Sequence, residues 1–198
     1  FWYPAEQTSA LGQKPVRVRM LGQNFVLFRD SAGVAHCLSN VCLHRCGSLG
    51  DGWVRNDRVV CPYHGWEFNG SGQCERIPSL GPVQPAITTR ARVDAYPVQE
   101  KYGLVFVFLG DLPEEQRPPI MEIAEWDDPG WRCTTLGFSL RANYARVVEN
   151  ALDPAHAEFV HFVGRKGQDP DYQMPDYQTQ ESEWGAGSTF TFTLPLSP

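Results

Sequence analysis

Several features are scarce in this chain of 198 residues, and each scarcity removes a class of function. Basic charge comes first. Seventeen Lys and Arg face 23 Asp and Glu, for a net charge of −6, and no basic block offers nucleic acid a phosphate-tracking surface. Long apolar runs are missing as well, which predicts no transmembrane segment. The longest run, Leu104 to Leu109, falls far short of the roughly 20 residues that cross a bilayer, and a buried strand accounts for it. The six cysteines are too sparse for a disulfide scaffold. No Gly-rich dinucleotide fingerprint follows a strand-like run, so the chain itself is not expected to bind NAD or flavin. There is no internal repeat and no low-complexity tract. Phe1 opens no charged-then-apolar series, so no signal peptide is expected, and the lack of an initiator Met predicts that the native N-terminus is not included.

What is present supports a packed protein. Hydrophobic residues make up 42% and charged residues 20%, which excludes a disordered or collagen-like chain. The length suits one large domain, or one domain and part of a second. Residues 16 to 29 partly alternate apolar and polar side chains, and Asp30-Ser31-Ala32-Gly33 is turn chemistry before VAHCL, so this region reads as a β-meander. Further strands are predicted at Arg58 to Cys61, at Trp66 to Phe68 before Asn69-Gly70-Ser71-Gly72, and at Leu104 to Leu109. The first 110 residues therefore read as all-β. Residues 111–130, rich in Pro and acid, read as a linker. Beyond it a strand is expected at 132–142 and a helix with one apolar stripe of Tyr144, Val147, Val148, Ala151 and Leu152, broken at Asp153-Pro154. There Asp153 can cap the next helix, with Pro154 in its first position. Two strand-like stretches follow, near 177–184 and 188–194.

Chemistry concentrates in two places. Cys42-x-His44 and Cys61-x-x-His64 are separated by 16 residues and bring two thiols and two imidazoles into two short loops. Zinc or an iron-sulfur cluster could use that set. A zinc finger pairs two Cys in one knuckle and two His in the other, whereas here each loop carries one of each. A Rieske [2Fe-2S] centre needs this mixture, because one iron takes both Cys and the other both His. Two neutral imidazoles in place of thiolates also raise its reduction potential. Gly47, Pro62 and Gly65 suit tight loops whose N–H groups approach sulfur. Trp66 and Tyr63, beside His64, either shield the centre from water or simply pack.

CLHRCGSLGDG at 42–52 and CPYHGWEFNGSGQC at 61–74 resemble the cluster loops of Rieske proteins of the oxygenase branch. The respiratory and photosynthetic Rieske proteins carry an extra Cys in each loop, joined as a disulfide. Here Tyr63 occupies the second of those positions and Cys46 is offset, so that bond is not expected. Cys37, Cys46, Cys74 and Cys133 are read as small buried thiols in a reducing compartment, and His36 as a structural histidine.

The second place is ENALDPAHAEFVH, Glu149 to His161. Asn150, Asp153, His156 and His161 are similar to the mononuclear-iron motif of Rieske non-haem iron oxygenases, Asn-x-x-Asp-x-x-His-x-x-x-x-His. Two His five apart on an ideal helix point about 140° apart, so joint ligation demands a kink or a π-type bulge. A ferrous oxygenase site takes two His and a carboxylate on one face. In the family the carboxylate comes from much farther downstream, so it is expected beyond Pro198 and the chain is read as partial. The resemblance implies that Asp153 hydrogen-bonds an iron-ligating His and reaches a cluster His of a neighbouring subunit, and that Asn150 sits near the iron. A carboxylate behind a metal-bound imidazole is also the general second-layer arrangement.

The resemblance implies an all-β Rieske domain over 1–110, a linker over 111–130, and over 131–198 the beginning of an α+β, helix-grip catalytic domain. It implies a terminal oxygenase that takes electrons from a reductase or ferredoxin coupled to NAD(P)H. Cofactors would be a [2Fe-2S] cluster and a mononuclear Fe(II); substrates, O₂ and a small organic molecule that is hydroxylated or oxidatively demethylated. FWYPA and the second loop look like the branch acting on chlorophyll-type tetrapyrroles, though similar loops occur with small aromatics, sterols and alkaloids. A homotrimer is implied, placed in the cytoplasm, or at the plastid stroma or a membrane periphery for a chlorophyll-type substrate. The rival is a Rieske ferredoxin without catalysis, which has no use for the second motif.

Overall fold

The run Phe25-Val26-Leu27-Phe28 is apolar at every position, and each of the four is at most 2% exposed. A strand covered on one face alternates; a strand covered on both does not. This strand lies at the centre of the unit that spans Phe1–Ile120. The computed structural model describes residues 1–84, 86–132, 140–153, 155–161, 169–173, 177–181 and 188–192. Its strands are β1 (Trp2–Gln7), β2 (Val16–Met20), β3 (Gln23–Arg29), β4 (Ala35–Ser39), β5 (Trp53–Arg55), β6 (Arg58–Val60), β7 (Glu67–Phe68), β8 (Cys74–Arg76), β9 (Ala95–Tyr96), β10 (Val98–Lys101), β11 (Leu104–Phe108), β12 (Tyr177–Glu181) and β13 (Ser188–Phe192). Among the described residues, two α-helices, α1 (Tyr144–Leu152) and α2 (Ala157–Val160), lie between β11 and β12.

Three antiparallel sheets build the first unit, Phe1–Ile120. The middle one has strand order β2-β3-β4-β9. One face of it carries Val26, Phe28 and Leu38 into a core shared with Val59, Phe68, Cys42 and Cys61, which belong to the sheet β5-β6-β7-β8 and its loops. The other face carries Phe25, Leu27 and Cys37 into a second core with Val105 and Val107 of the sheet β1-β11-β10. Fully burying each such side chain contributes about 1.5–3 kcal/mol, so the middle sheet is fixed from both sides. The loops that leave it start from a rigid base.

Three hairpins close through two-residue turns in which both residues have positive φ, Leu21-Gly22, Asn56-Asp57 and Tyr102-Gly103. That turn matches the right-handed twist of paired strands. Residues 111–120, read from composition as the start of a linker, are tied back onto the first unit. Trp2 Nε1 donates to the Pro118 carbonyl at 2.7 Å, and Ile120 is buried.

The second unit spans Met121–Pro198. Asn143 caps α1, its side chain accepting from the Ala145 N–H at 2.9 Å, as a cap residue should. The apolar stripe lies on this helix, with Tyr144 72% exposed and Val148 and Leu152 each 51% exposed. β12 and β13 form an antiparallel hairpin, Tyr177 opposite Phe192. The strand expected at 132–142 falls mostly outside the described residues. Among the described residues no helix is long and apolar enough to cross a membrane.

Candidate metal centres

The first loop leaves β4 and the second joins β6 to β7, and both fold by the same rule. Cys42 N–H donates to the Gly47 carbonyl at 2.9 Å, and Cys46 N–H donates back to the Cys42 carbonyl at 2.9 Å. In the second loop Cys61 N–H donates to the Trp66 carbonyl at 2.8 Å and Gly65 N–H to the Cys61 carbonyl at 2.9 Å. Each loop is thus closed on its own cysteine. The residue four after each cysteine turns left-handed, Cys46 at φ 55° and Gly65 at φ 72°. Glycine does this freely and cysteine at a cost. That position also places Cys46 on the exposed outer turn, which corrects the expectation that it is buried. Cys37 and Cys74 are buried, and Cys133 lies outside the described residues.

The four candidate ligands come together in pairs of one kind. Cys42 and Cys61 are 1% and 2% exposed and interact with each other, and a Cβ added to Gly47 would lie 2.9 Å from Cys61 Sγ. The rings of His44 and His64 stand edge to face with centroids 4.6 Å apart. Sulfur sits with sulfur and imidazole with imidazole, although the sequence alternates them. Among the described residues no three His, Cys, Asp or Glu converge on one ion position. The two-and-two grouping is what a binuclear centre with unlike irons requires.

Electrostatics fit a metal. Burial first, then the neighbouring Cys61, push the Cys42 thiol up to about 11, against backbone N–H groups of His44 and Arg45 that bond its sulfur. A thiol held like this becomes a thiolate only beside a cation. His44 is held below the usual imidazole range by burial first and then by His64 and Arg45, so it is the neutral ring a metal needs. Its Nδ1 is buried and has no hydrogen-bond partner, an uncompensated polar atom at the position a metal would satisfy. The set fits a [2Fe-2S] cluster. Trp66 lies on His44, not on His64: the rings stack at 4.6 Å and 6°. Tyr63 leans on His64 at 4.0 Å and is 63% exposed. His36 stands apart on β4, its Nε2 2.8 Å from Asp30 Oδ2.

Residues that the sequence did not single out surround these loops. Asn40 and Glu67 are the buried polar side chains of the described structure. Glu67 has only a charge inside an apolar stretch as a signal, and nothing linear announces that Arg55 and Arg76 would both meet it, at 2.6 and 2.9 Å.

In the second unit, α1 ends where Asp153 turns extended at φ −93° and ψ 100°. Asp153 Oδ1 accepts the Ala155 N–H at 2.9 Å, but α2 starts at Ala157 with His156 as its first flanking residue. So Asp153 caps a turn and not the next helix, which corrects the expectation from the sequence; Pro154 lies outside the described residues. His156 and His161 flank the two ends of α2, and their Nε2 atoms are 3.2 Å apart. Two imidazoles about 2.1 Å from one ion at right angles would have nitrogens about 3.0 Å apart. Asn150 Nδ2 lies 3.3 Å from His156 Nε2, and Asp153 Oδ2 lies 3.5 Å from His156 Nδ1, a buried atom without a hydrogen-bond partner. The pair fits one ion with Asn150 and Asp153 beside it, and of the expected kink or π-type bulge the chain has the former, a break in the helix.

The family model of the Rieske [2Fe-2S] domain matches residues 1–97, which defines the first unit as a Rieske iron-sulfur domain. That of the vanillate O-demethylase oxygenase C-terminal domain matches 140–198. The chain belongs to the Rieske non-haem iron oxygenases. It is 35% identical over 164 residues to the 4beta-methylsterol monooxygenase of Methylococcus capsulatus, covering 81% of this chain and 44% of that protein. It is 36% identical over 171 residues to the chloroplastic chlorophyllide a oxygenase of Chlamydomonas reinhardtii, covering 81% and 24%. The crystal structure of dicamba monooxygenase bound to dicamba superposes with a TM-score of 0.76 at 28% identity, covering 92% of this chain and 53% of that one. The chain spans less than half the length of these two curated relatives.

Proposed function

We propose that this chain is part of the terminal oxygenase component of a Rieske non-haem iron system, with Cys42, His44, Cys61 and His64 holding the cluster and His156 and His161 two ligands of a mononuclear iron. The observation that carries the reading is the pair of Nε2 atoms 3.2 Å apart in a segment matched by an oxygenase catalytic-domain model. An electron carrier would need the first unit alone. When bound, the cluster supplies single electrons and the ferrous ion supplies activation of O₂.

The chain's own residues set up both sites. His44 and Arg45 N–H groups face the Cys42 sulfur and so favour added negative charge there. Trp66 covers one face of the His44 ring. Asp153 stands 3.5 Å behind His156 Nδ1, and a closer approach on metal binding would let the carboxylate accept the Nδ1 proton and leave Nε2 free to ligate. Asn150 flanks the same Nε2. The donor is a reductase or ferredoxin, and the substrate an organic molecule in the range of the relatives' sterol, chlorophyllide and dicamba. A homotrimer in which Asp153 links one subunit's iron to its neighbour's cluster completes the proposal, in a reducing compartment, cytoplasm or plastid stroma.

The test is metal analysis and spectroscopy of protein prepared with iron and without air. Acid-labile sulfide, a Rieske-type electron paramagnetic resonance signal on reduction and additional ferrous ion are expected. Zinc without sulfide would end the reading. A cluster without further iron would leave a carrier. Asp153→Asn is expected to keep both metals and slow transfer from cluster to iron in single turnover; normal turnover would remove the bridging role.

A further inference from the structure

Buried polar side chains are costly unless satisfied, so where they occur they fix structure. Among the described residues two are buried, Asn40 at 7% and Glu67 at 1% exposed. One stands at the base of each metal loop. Asn40 lies two residues before Cys42; Glu67 follows Trp66, whose carbonyl closes the second loop.

Asn40 joins the outgoing limb of the first loop to the returning one. Its Nδ2 donates to Ser48 Oγ at 3.0 Å, its Oδ1 accepts the Gly50 N–H at 2.7 Å, and its carbonyl accepts the Leu49 N–H at 3.0 Å. Its own N–H donates to the Asn24 carbonyl of β3 at 3.1 Å, anchoring the clamp to the middle sheet. Between the clamped ends run the His44 and Arg45 amides that face the Cys42 sulfur, and the Gly47 backbone that abuts Cys61 Sγ.

Glu67 does the same for the second loop by charge. Its Oε1 accepts from Arg55 at 2.6 Å and Arg76 at 2.9 Å, and its Oε2 faces Arg58 at 3.6 Å. Those arginines come from β5, β6 and β8, so one carboxylate reaches every other strand of its sheet. Glu75 and Asn69 extend the network: Glu75 accepts from Arg58 Nε at 2.5 Å and from Asn69 Nδ2 at 2.7 Å. Burial pushes the Glu67 carboxyl up, but Arg76 and Arg55 together hold it below the usual carboxylate range, so it is charged. Paired by register with Val60, the residue before Cys61, it holds both limbs of the loop and the seat of Trp66 on His44.

We infer that Asn40 and Glu67 are positioning residues of the iron-sulfur centre, each clamping one ligand loop at its base and thereby setting the cluster's reduction potential. The inference rests on the proposed cluster. The two clamps act on the potential with opposite signs. Loosening the first loop weakens amide-to-sulfur bonds, which favour the reduced, more negative cluster, so Asn40→Ala lowers the potential. Neutralising Glu67 removes a negative charge and leaves guanidinium charge unbalanced, so Glu67→Gln raises it.

The experiment is a potentiometric titration, followed by electron paramagnetic resonance, of the full chain with its cluster. Wild type is compared with Asn40→Ala, Ser48→Ala, Glu67→Gln and Val105→Ala, the last a buried position in the other core as a control for simple destabilisation. The expected result is a lower potential and altered g-values in Asn40→Ala, a smaller change of the same sign in Ser48→Ala, and a higher potential in Glu67→Gln. Val105→Ala is expected to keep wild-type values even where its melting temperature falls as far. Should Asn40→Ala fail to fold, Ser48→Ala and Glu67→Gln still carry the two signs. Potentials and g-values in those variants that move no more than in Val105→Ala would overturn the inference. A wild-type protein without labile sulfide would overturn the cluster itself, a separate outcome.

Discussion

Gly47→Ala is the sharpest probe of the first centre, because the structure fixes what the added methyl meets. A Cβ at position 47 lies 2.9 Å from Cys61 Sγ and 3.3 Å from Tyr63 Cβ. Position 47 has no left-handed backbone, so alanine is conformationally acceptable and contact alone decides the outcome. Relief requires one loop to back away from the other. The Gly47 carbonyl, however, closes the first loop by accepting the Cys42 N–H at 2.9 Å. Overpacking costs about 1–3 kcal/mol and the lost hydrogen bond about 1, so about 2–4 kcal/mol in all. That is a shift of roughly 30- to 700-fold between the ligand-competent and displaced loop. The assay is anaerobic reconstitution with iron and sulfide, then the rate at which a chelator bleaches the cluster. Cluster retention is expected to fall by a factor in that range. Gly12→Ala, which meets nothing within 4 Å, is expected to match wild type. Gly47→Ala protein that fills completely and bleaches at the wild-type rate would refute the claim that this backbone packs against the ligand sulfur.

Three further outcomes follow from other parts of the molecule. His161→Ala is expected to remove the mononuclear ion while leaving the cluster signal unchanged, weakening iron binding by more than the roughly 10–100-fold that changes behind a ligand cause; coincident loss of both signals on metal analysis would contradict separate sites. Phe28→Ala, fully buried in the core that holds Cys42 and Cys61, is expected to cost about 3–5 kcal/mol in denaturant unfolding; a cost under about 1 kcal/mol would place the core elsewhere. For pH, the Arg29 hydrogen bonds lower Glu100 and the Arg58 hydrogen bond lowers Glu75, both against burial. The unfolded chain then takes up protons first. Their stabilisation is complete above the unfolded glutamate value of about 4.3 and is lost as pH falls through the lower folded values. Denaturation midpoints should hold steady down to about pH 5 and drop below pH 4.3, less steeply in Arg29→Gln; identical profiles would show the pair to be idle.

The metal loops were legible because their chemistry is local. Cys42-x-His44 and Cys61-x-x-His64 carry ligand type, order and spacing in a few residues, and turn chemistry at Asp30 to Gly33 marks a meander without knowledge of the partner strand. Strand β1 was missed because Trp2–Gln7 has neither clean alternation nor turn residues at its ends; it is a strand because β11 lies beside it, Trp2 opposite Phe108. Leu21-Gly22 and Tyr102-Gly103 lack the Asn-Gly or Asp-Gly that marks a tight hairpin, so their turns were silent. Arg55, Arg58 and Arg76 look like ordinary surface charge in one dimension. They become partners of one buried carboxylate only when four strands bring them around Glu67. Neighbouring Trp66 was read as a companion of His64 in sequence, yet the two loops face each other and its ring falls on His44.

The 156–161 pair shows where helical geometry helped and where it misled. On a continuous helix a spacing of five separates the side chains by about 140°, which argues against joint ligation unless the helix is distorted. The constraint is right, and a break rather than a bulge meets it. Asp153 turns extended and its carboxylate takes up the Ala155 N–H, which ends α1 and lets the chain restart. α2 is then only four residues long, so His156 and His161 lie outside it at opposite ends. His161 has extended dihedrals, φ −80° and ψ 138°, whereas His156 is helical, and the different backbone states turn both Nε2 atoms inward to 3.2 Å. The Asp153-Pro154 break expected from the sequence is therefore part of how the site is built. Continuing α2 as a helix through His161 would swing the two imidazoles apart. Asp153→Ala is expected to weaken iron retention at the second site even before any role in electron transfer is considered, because it removes the acceptor for the Ala155 N–H. Asp153→Asn, which keeps that acceptor, should hold iron better than Asp153→Ala. Equal iron loss in the two variants would mean that the turn does not set the histidine geometry.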